Sequence, residues 1–477
     1  MTEQSQVAAP ALATGPVVQR SPRAILTILS LAGFMGALDL FIVNVAFDKI
    51  AQSFGDSSTA NVSWVLNGYA IIFAALLVPF GRLADKVGRK NMFLSGLALF
   101  TLASAACAAA PGLWWLVGFR LLQAAGAAAL TPTSLGLLIA SAAPEKRVSY
   151  VRVWSTVSAV AAAAGPVLGG LLVTASWRWV FLVNLPVGIV AFIAAHRIVP
   201  DSRDAAVTKI PDLAGAALLT VGIGALALAI VKGGDWGWGS DPTIGSFVVA
   251  AALLAWFVWR AEHHPVPVVD PTLYRVRTFA AANIALLAFS LGLAGYLLMI
   301  VLWLQNVWHW STLATGFGVA PGPAMVPVIA VLTQRLSGRI QAGILTSIGC
   351  ALFAAAAVMN LALLGPHGSS YASHLLPAQL VAGLGIGLAL PTLMAAATAG
   401  LPPHRASTGS GVVNMTRQIG FVLGVAIVVA LLGNPVSYAA DHTAYGHAWW
   451  MDAAVELIAA IACLGLLKRR AKTPNPA

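Results

Sequence analysis

The chain has 477 residues, of which 59% are apolar and only 9% charged, against roughly 25% charged and 45–50% apolar residues in a soluble globular protein. Such a composition cannot build a water-facing surface. Lipid is therefore the solvent for most of the chain, and soluble enzymes, DNA-binding modules and disordered regulators are excluded. The formal net charge of +11 fits cations retained in short loops on one side of a membrane. It does not suit nucleic acid, because no basic run is interleaved with aromatics on a polar helix face. Cys107, Cys350 and Cys463 all lie in apolar runs, form neither a metal spacing nor a disulfide framework, and read as small core residues.

Residues 1–23 are polar, with Pro10, Pro16 and Pro22 among small residues, and read as a flexible tail. Fourteen apolar runs follow, each near the roughly 20 residues that a helix needs to cross a bilayer. Six centre on 24–47, 63–80, 92–110, 113–140, 150–173 and 180–198 and make a first bundle over 24–200. Runs 213–231 and 243–259 fall in a connecting region, 201–277. The last six centre on 280–304, 313–332, 344–364, 375–399, 409–432 and 449–467, giving a second bundle over 278–468 and a tail at 469–477.

Every Lys and Arg lies in the tails or the even-numbered connections except Lys49, Arg178, Lys232 and the in-span Arg120 and Arg417. Cations stay on the cytoplasmic side, so both termini are expected there. Most of the 15 tryptophans sit near predicted span ends, as interfacial rings do.

The chain also repeats itself. One ungapped offset places Gly126 on Gly385, Pro132 on Pro391, Thr133 on Thr392, Pro144 on Pro403 and Gly165 on Gly424. The last six spans then copy the first six, and parallel repeats of six helices are a transporter architecture. A membrane-bound enzyme gives no reason for such a duplication.

Charge inside the spans is the chemical signal. Asp39, in Leu38-Asp39-Leu40-Phe41-Ile42-Val43-Asn44, is the only acid deep in the first ten spans. Arg120, in Arg120-Leu121-Leu122-Gln123-Ala124, costs at least about 2.5–3.5 kcal/mol to insert and must face a cavity or a partner. Asp39 is its natural partner. Two readings stand side by side: a permanent ion pair joining spans 1 and 4, or a site that loads and releases a proton. Between spans 2 and 3, Gly81-Arg82-Leu83-Ala84-Asp85-Lys86-Val87-Gly88-Arg89-Lys90 reads as a basic loop with one acid, its glycines allowing a tight turn. Span 5 carries Gly165-Pro166-Val167-Leu168-Gly169-Gly170, a bend flanked by positions of close helix contact.

In the second half, Trp303, Gln305, Asn414, Arg417 and Gln418 are the polar or aromatic candidates. Asp452 and Glu456 stand four apart on one face of span 14 and could form an alternative proton or cation site. Asp452 falls near the outer end, where solvation is the plainer reading. His-Glu-x-x-His, Gly-x-Ser-x-Gly and Gly-Lys-Ser/Thr motifs are all missing from the sequence, so neither an enzyme nor direct ATP drive is indicated.

These strings resemble a known family. Residues 81–90 closely resemble the cytoplasmic loop signature of the major facilitator superfamily, and 120–126 resemble its Arg-x-x-Gln-Gly motif, with Ala124 at the usual glycine. Residues 38–46 resemble the first-helix motif of proton-coupled drug exporters, departing at Phe41, usually Thr, and nearby at Asp48, close to where a proline is usual. Gly165, Pro166, Gly169 and Gly170 match the motif that marks antiporters. Trp177-Arg178-Trp179 through Pro186-Val187-Gly188 and Gly233-Gly234-Asp235-Trp236-Gly237-Trp238 resemble the fourteen-span drug:proton antiporter branch. The likeness runs from about residue 24 to 468.

The resemblance implies an all-α membrane protein of two six-helix bundles plus two inserted helices, alternating access around a central cavity. It implies a proton-coupled antiporter that exports amphipathic small molecules or drugs across the bacterial cytoplasmic (inner) membrane. Asp39 would carry the proton and Arg120 tune it, with Glu456 a further candidate. Asp85 and Arg89, between Gly81 and Gly88, would latch the cytoplasmic gate, and the span-5 motif would seal the path against leak. Asn44, Asn67, Tyr69, Gln123, Trp303, Gln305, Asn414 and Arg417 would line the cavity. A lipid-embedded monomer is expected, driven by the proton gradient with no cofactor, metal or nucleic acid. Some cation exporters of this branch carry an acid in span 10 or 13, and here neither span has one. An exporter of a dedicated metabolite, lipid or anion, or a membrane sensor that does not transport, are the rival readings.

Overall fold

A computed structural model describes residues 21–55, 58–203, 211–336, 339–365, 370–433 and 438–467, so both predicted tails lie outside it save for residues 21–23. Among the described residues the chain is helical, without a strand. Lipid imposes this, because each backbone N–H and C=O must find its partner within its own helix. Fourteen helices are long and apolar enough to cross a membrane. Spans 1 to 6 are Pro22–Val45, Thr59–Val87, Arg89–Ala108, Leu113–Ser141, Ser149–Ala175 and Trp179–Ile198. Spans 7 and 8 are Leu213–Trp236 and Asp241–His263. Spans 9 to 14 are Arg277–Val307, Thr312–Thr333, Ala342–Leu363, Tyr371–Ala399, Thr408–Leu432 and His442–Leu466.

Two boundaries differ from expectation in ways that matter. Span 14 starts at His442, about two turns earlier than its apolar run, because His442, Thr443 and His447 lower the hydropathy of a turn that is still helical. Span 2 continues to Val87, so residues 81–87 are helix and only Gly88, at φ 110°, makes the turn. Gly81 serves packing instead: a Cβ there would meet Pro132 of span 4 at 3.3 Å.

Lipid offers no hydrophobic drive for helix association, so close backbone approach at small residues takes its place. A Cβ on Gly126 would come within 2.6 Å of the Phe100 backbone, and one on Gly385 within 2.8 Å of the Phe353 backbone. Span 4 thus packs on span 3 as span 12 packs on span 11. Gly165 and Gly169 likewise seat span 5 on Phe41 and Ile42 of span 1, while Gly420 and Gly424 seat span 13 on Leu287 and Leu291 of span 9. The sequence duplication is a duplication of packing.

Between the halves, span 2 lies against span 13 and span 5 against span 10. The end where span 1 begins is termed the near end and the opposite one the far end. Span 7 packs on spans 2 and 13 and carries span 8 with it. Asp212 pins this pair at the near end, accepting from Gly215 N at 2.8 Å and from Arg260 Nε at 2.8 and 2.9 Å. Trp256, Trp259 and Val248 on span 8 are exposed, as rings and branched side chains facing lipid would be.

Candidate functional site

The charged centre is built inside the first bundle. Asp39 is fully buried on span 1 and accepts three hydrogen bonds: from Arg120 Nη1 at 2.5 Å, Gln123 Nε2 at 2.8 Å and Asn184 Nδ2 at 3.0 Å. Arg120 is also fully buried; its Nε donates to Val65 O at 3.2 Å and its Nη1 to Gln123 Oε1 at 2.6 Å. Ser104 Oγ accepts from Gln123 at 2.7 Å and from Asn184 at 3.3 Å. The Tyr69 ring lies under the guanidinium, 4.0 Å from its carbon. Three of the donors converge on the Asp39 carboxyl group, and the others tie Arg120, Gln123 and Asn184 to one another's neighbours.

Five spans contribute, and two of the contributors, Ser104 and Asn184, carry no charge and escape a reading that looks for ionisable residues. Asn184 follows Phe181-Leu182-Val183 at the start of span 6, and its place in that string is the one signal available.

Arg120 is also a wall of a cavity between the halves. Leu40, Asn44, Leu66, Asn67 and Ala70 line it from one side, Ala294, Leu297, Phe421 and Val425 from the other. Asn67 is fully buried with neither amide atom paired, an open pair of hydrogen-bonding groups facing that space. Phe41 stands edge-on to Phe421 across the gap, with ring centres 6.3 Å apart. The residue that departs from the family pattern is thus a cross-half contact, seated against Gly165.

The remaining expected lining residues lie elsewhere. Tyr69 and Gln123 belong to the Asp39 network. Gln305 donates from Nε2 to Val45 O at 3.3 Å, closing the far end. Trp303 borders a separate cavity inside the second bundle, with Asn360, His442 and Trp449. Asn414 turns back to Ser410 O at 3.0 Å, and the Arg417 Nε is buried without a partner. Asp452 is not solvated: it and Glu456 are both fully buried and unpaired, because span 14 presents that face to span 9.

The acid of the 81–90 string pairs locally. Arg89 Nε donates to Asp85 Oδ1 at 2.7 Å, Arg89 N to Ser202 O at 2.9 Å, and Lys90 Nζ to His196 O at 2.7 Å. These bonds tie the turn to the end of span 6 within the same half. The contact that leaves the half belongs to Arg82, whose Nη1 donates to Pro267 O at 2.8 Å, just before span 9. Also at the near end, a Cβ on Gly411 of span 13 would meet Val78 of span 2 at 3.1 Å. At the far end, Gly170 lies against Thr312 and Leu313, and Gly316 against the Pro166 carbonyl. The halves therefore touch at both ends of the cavity, with the antiporter-like motif wedged between span 1 and span 10.

Asp48 lies beyond span 1, in the first turn of the short far-end helix Phe47–Phe54, where burial pushes its carboxyl up to about 6 although Lys49 opposes the shift. The folded chain thus holds this proton more tightly than the unfolded one. Its contribution to stability is full below the ordinary carboxyl value of 3.8 and is lost as pH rises through about 6. The Asp48→Asn variant should therefore gain thermal stability relative to the natural chain across that window and hold the gain above it, as read by melting detergent-solubilised protein against pH. An unchanged difference across the window would contradict the assignment.

Comparison with known proteins agrees with this architecture. The sequence model of the Major Facilitator Superfamily matches residues 29–425. The methylenomycin A resistance protein of Streptomyces coelicolor is 32% identical over 422 residues, covering 88% of this chain and 87% of that one. The multidrug resistance protein Stp of Mycobacterium tuberculosis is 33% identical over 402 residues, covering 84% and 74%. The puromycin resistance protein pur8 of Streptomyces alboniger is 32% identical over 422 residues, covering 87% and 83%. Among solved structures, a bacterial homologue of the human drug peptide transporters PepT1 and PepT2 superposes with a TM-score of 0.67 at 14% identity, covering 94% of this chain and 98% of that one.

Proposed function

Because the chain belongs to the major facilitator superfamily, we propose that it is a proton-coupled antiporter exporting amphipathic small molecules across the bacterial cytoplasmic membrane. One observation carries the reading: Arg120 holds the carboxylate of Asp39 and at the same time forms a wall of the cavity between the halves. Protonation of Asp39 removes the charge that anchors Arg120, and the freed guanidinium changes the wall that a cargo meets. Proton and cargo then compete through one side chain, which is the logic of exchange.

The relatives' names supply the cargo class, antibiotics and other drugs, and the lining suits it. Seven apolar residues with Asn44 and Asn67 offer an adaptable surface with two amides and no acid. The cation distribution supports a cytoplasmic near end. The contacts at both ends describe an occluded stage between two openings, reached by rocking one bundle on the other. Arg82–Pro267 and the Asp85–Arg89 turn would part when the cytoplasmic side opens. The proton gradient supplies the drive without a cofactor, and a monomer contains every part described.

The test is ethidium uptake by proteoliposomes oriented so that export fills the lumen. Accumulation that appears with an imposed pH gradient and collapses with an uncoupler is expected. Folded protein that moves ethidium no faster with the gradient than without would overturn the multidrug reading in favour of an exporter of one dedicated metabolite or anion.

A further inference from the structure

The second bundle holds a pair of acids that the Asp39 network does not touch. Asp452 and Glu456 lie one turn apart on span 14, both at 0% exposure, and all four of their carboxyl oxygens lack a hydrogen-bond partner. They point to one place on span 9. A Cβ built on Gly292 would meet Glu456 Oε1 and would lie 2.8 Å from Asp452 Oδ1, so the two carboxyls fill the room that the absent side chain leaves. One turn further along span 9 stands Tyr296, 2% exposed and within electrostatic reach of Asp452, its hydroxyl set against the Asn360 side chain. Helical side chains lean toward the N-terminus, which carries the Tyr296 hydroxyl back toward the level of Gly292. Asn360 on span 11, beside that hydroxyl, is fully buried.

We propose that Asp452 and Glu456 form a second protonation site, sharing a proton in the resting protein and reached from the far end of the second bundle. The remaining titratable groups facing the pair are Tyr296 on span 9, Cys350 on span 11 and Cys463 on span 14 itself. Two carboxylates this close, away from water and without a cation in contact, cannot both stay charged. A proton resolves this without the shell of several oxygens that a metal ion requires. A route is also present. A small cavity is bordered by Trp303, Asn360, His442 and Trp449, and His442 is an exposed imidazole at the far end of span 14. Trp449, the next wall of that cavity, is three residues before Asp452 and packs its ring on Tyr296 at 5.4 Å. The path therefore runs from the exposed His442 past Asn360 and Trp449 to the buried pair.

The site itself does not depend on the export reading, and its test is made without cargo. Infrared difference spectra of the full chain in proteoliposomes, taken between mildly alkaline and mildly acidic buffer, should contain a protonated-carboxyl band that shifts in heavy water. That band should disappear in both Asp452→Asn and Glu456→Gln and survive in Asp39→Asn. Gly292→Ala keeps both acids but puts a methyl group between them, and should move the pH at which the band is lost. This variant keeps the test valid if an acid variant does not fold. A band indifferent to all of these substitutions would overturn the proposal. So would carboxyls that are ionised throughout, or a band that appears only when sodium is withdrawn, which would make the pair a metal site.

Discussion

The Asp39→Asn variant should fold, reach the membrane and bind cargo, yet accumulate none against a gradient: uptake driven by a pH difference should fall to that of protein-free vesicles. The substitution leaves the buried Arg120 charge without its anion, which lowers stability, but it changes little else. Asparagine has the same shape, and its carbonyl can still accept from Asn184 or Gln123, which now donate at 3.0 and 2.8 Å. What disappears is the charge that holds Arg120 and the capacity to take up a proton. Both a coupling site and a fixed ion pair joining spans 1 and 4 predict some loss of stability, because Arg120 is left without its anion; only the fixed pair predicts that the folded variant keeps gradient-driven uptake. Measuring thermal stability and gradient-driven uptake on the same preparation separates the two, and full uptake in the variant would remove Asp39 from the coupling step.

Arg120→Ala should show first as a failure of stability. Removing one partner of a buried pair leaves an uncompensated charge and typically costs about 3–5 kcal/mol. Here the loss also strands Val65 O and uncovers the Tyr69 ring, both of which Arg120 now engages. The measurement is thermal unfolding in detergent, with a large fall in the midpoint expected. Adding Asp39→Asn to Arg120→Ala should recover much of that fall by removing the stranded charge, without restoring transport. If the double variant were no more stable than the single one, the cost would lie in lost packing instead of the unpaired carboxylate.

The parts of this molecule that could be read in the sequence are those where lipid makes errors expensive. Fourteen spans follow from hydropathy, and the duplication follows from glycines whose packing role is the same in both halves, Gly126 with Gly385 and Gly165 with Gly424. The pairing of Asp39 with Arg120 follows from the same cost, since an in-span charge needs a partner. Uncharged donors leave no such trace, and so Asn184 and Ser104, which complete the shell of Asp39, were invisible. Gln305 was misplaced for a geometric reason: the last turn of span 9, Trp303–Val307, widens to a π-helix, and a regular helical wheel no longer says where its side chains face. The charges and glycines of 81–87 suit a loop, whereas the helix continues until Gly88 reaches a positive φ. Asp452 looked solvated because the sequence cannot show that span 14 turns this acid toward Gly292.

The far-end seam between Gly170 and Gly316 bears on more than cargo. Backbone meets backbone there, with the Pro166 carbonyl against Gly316 and no side chain between to prop the halves apart. A cell that maintains a voltage across this membrane needs every protein in it to act as an insulator while idle. A thread of water along the seam would conduct protons whether or not a drug was present. Small residues at this contact are therefore also a matter of the host's energy supply: a bulkier side chain would make the protein an electrical short circuit, harmful in proportion to its abundance even in a cell that never meets an antibiotic.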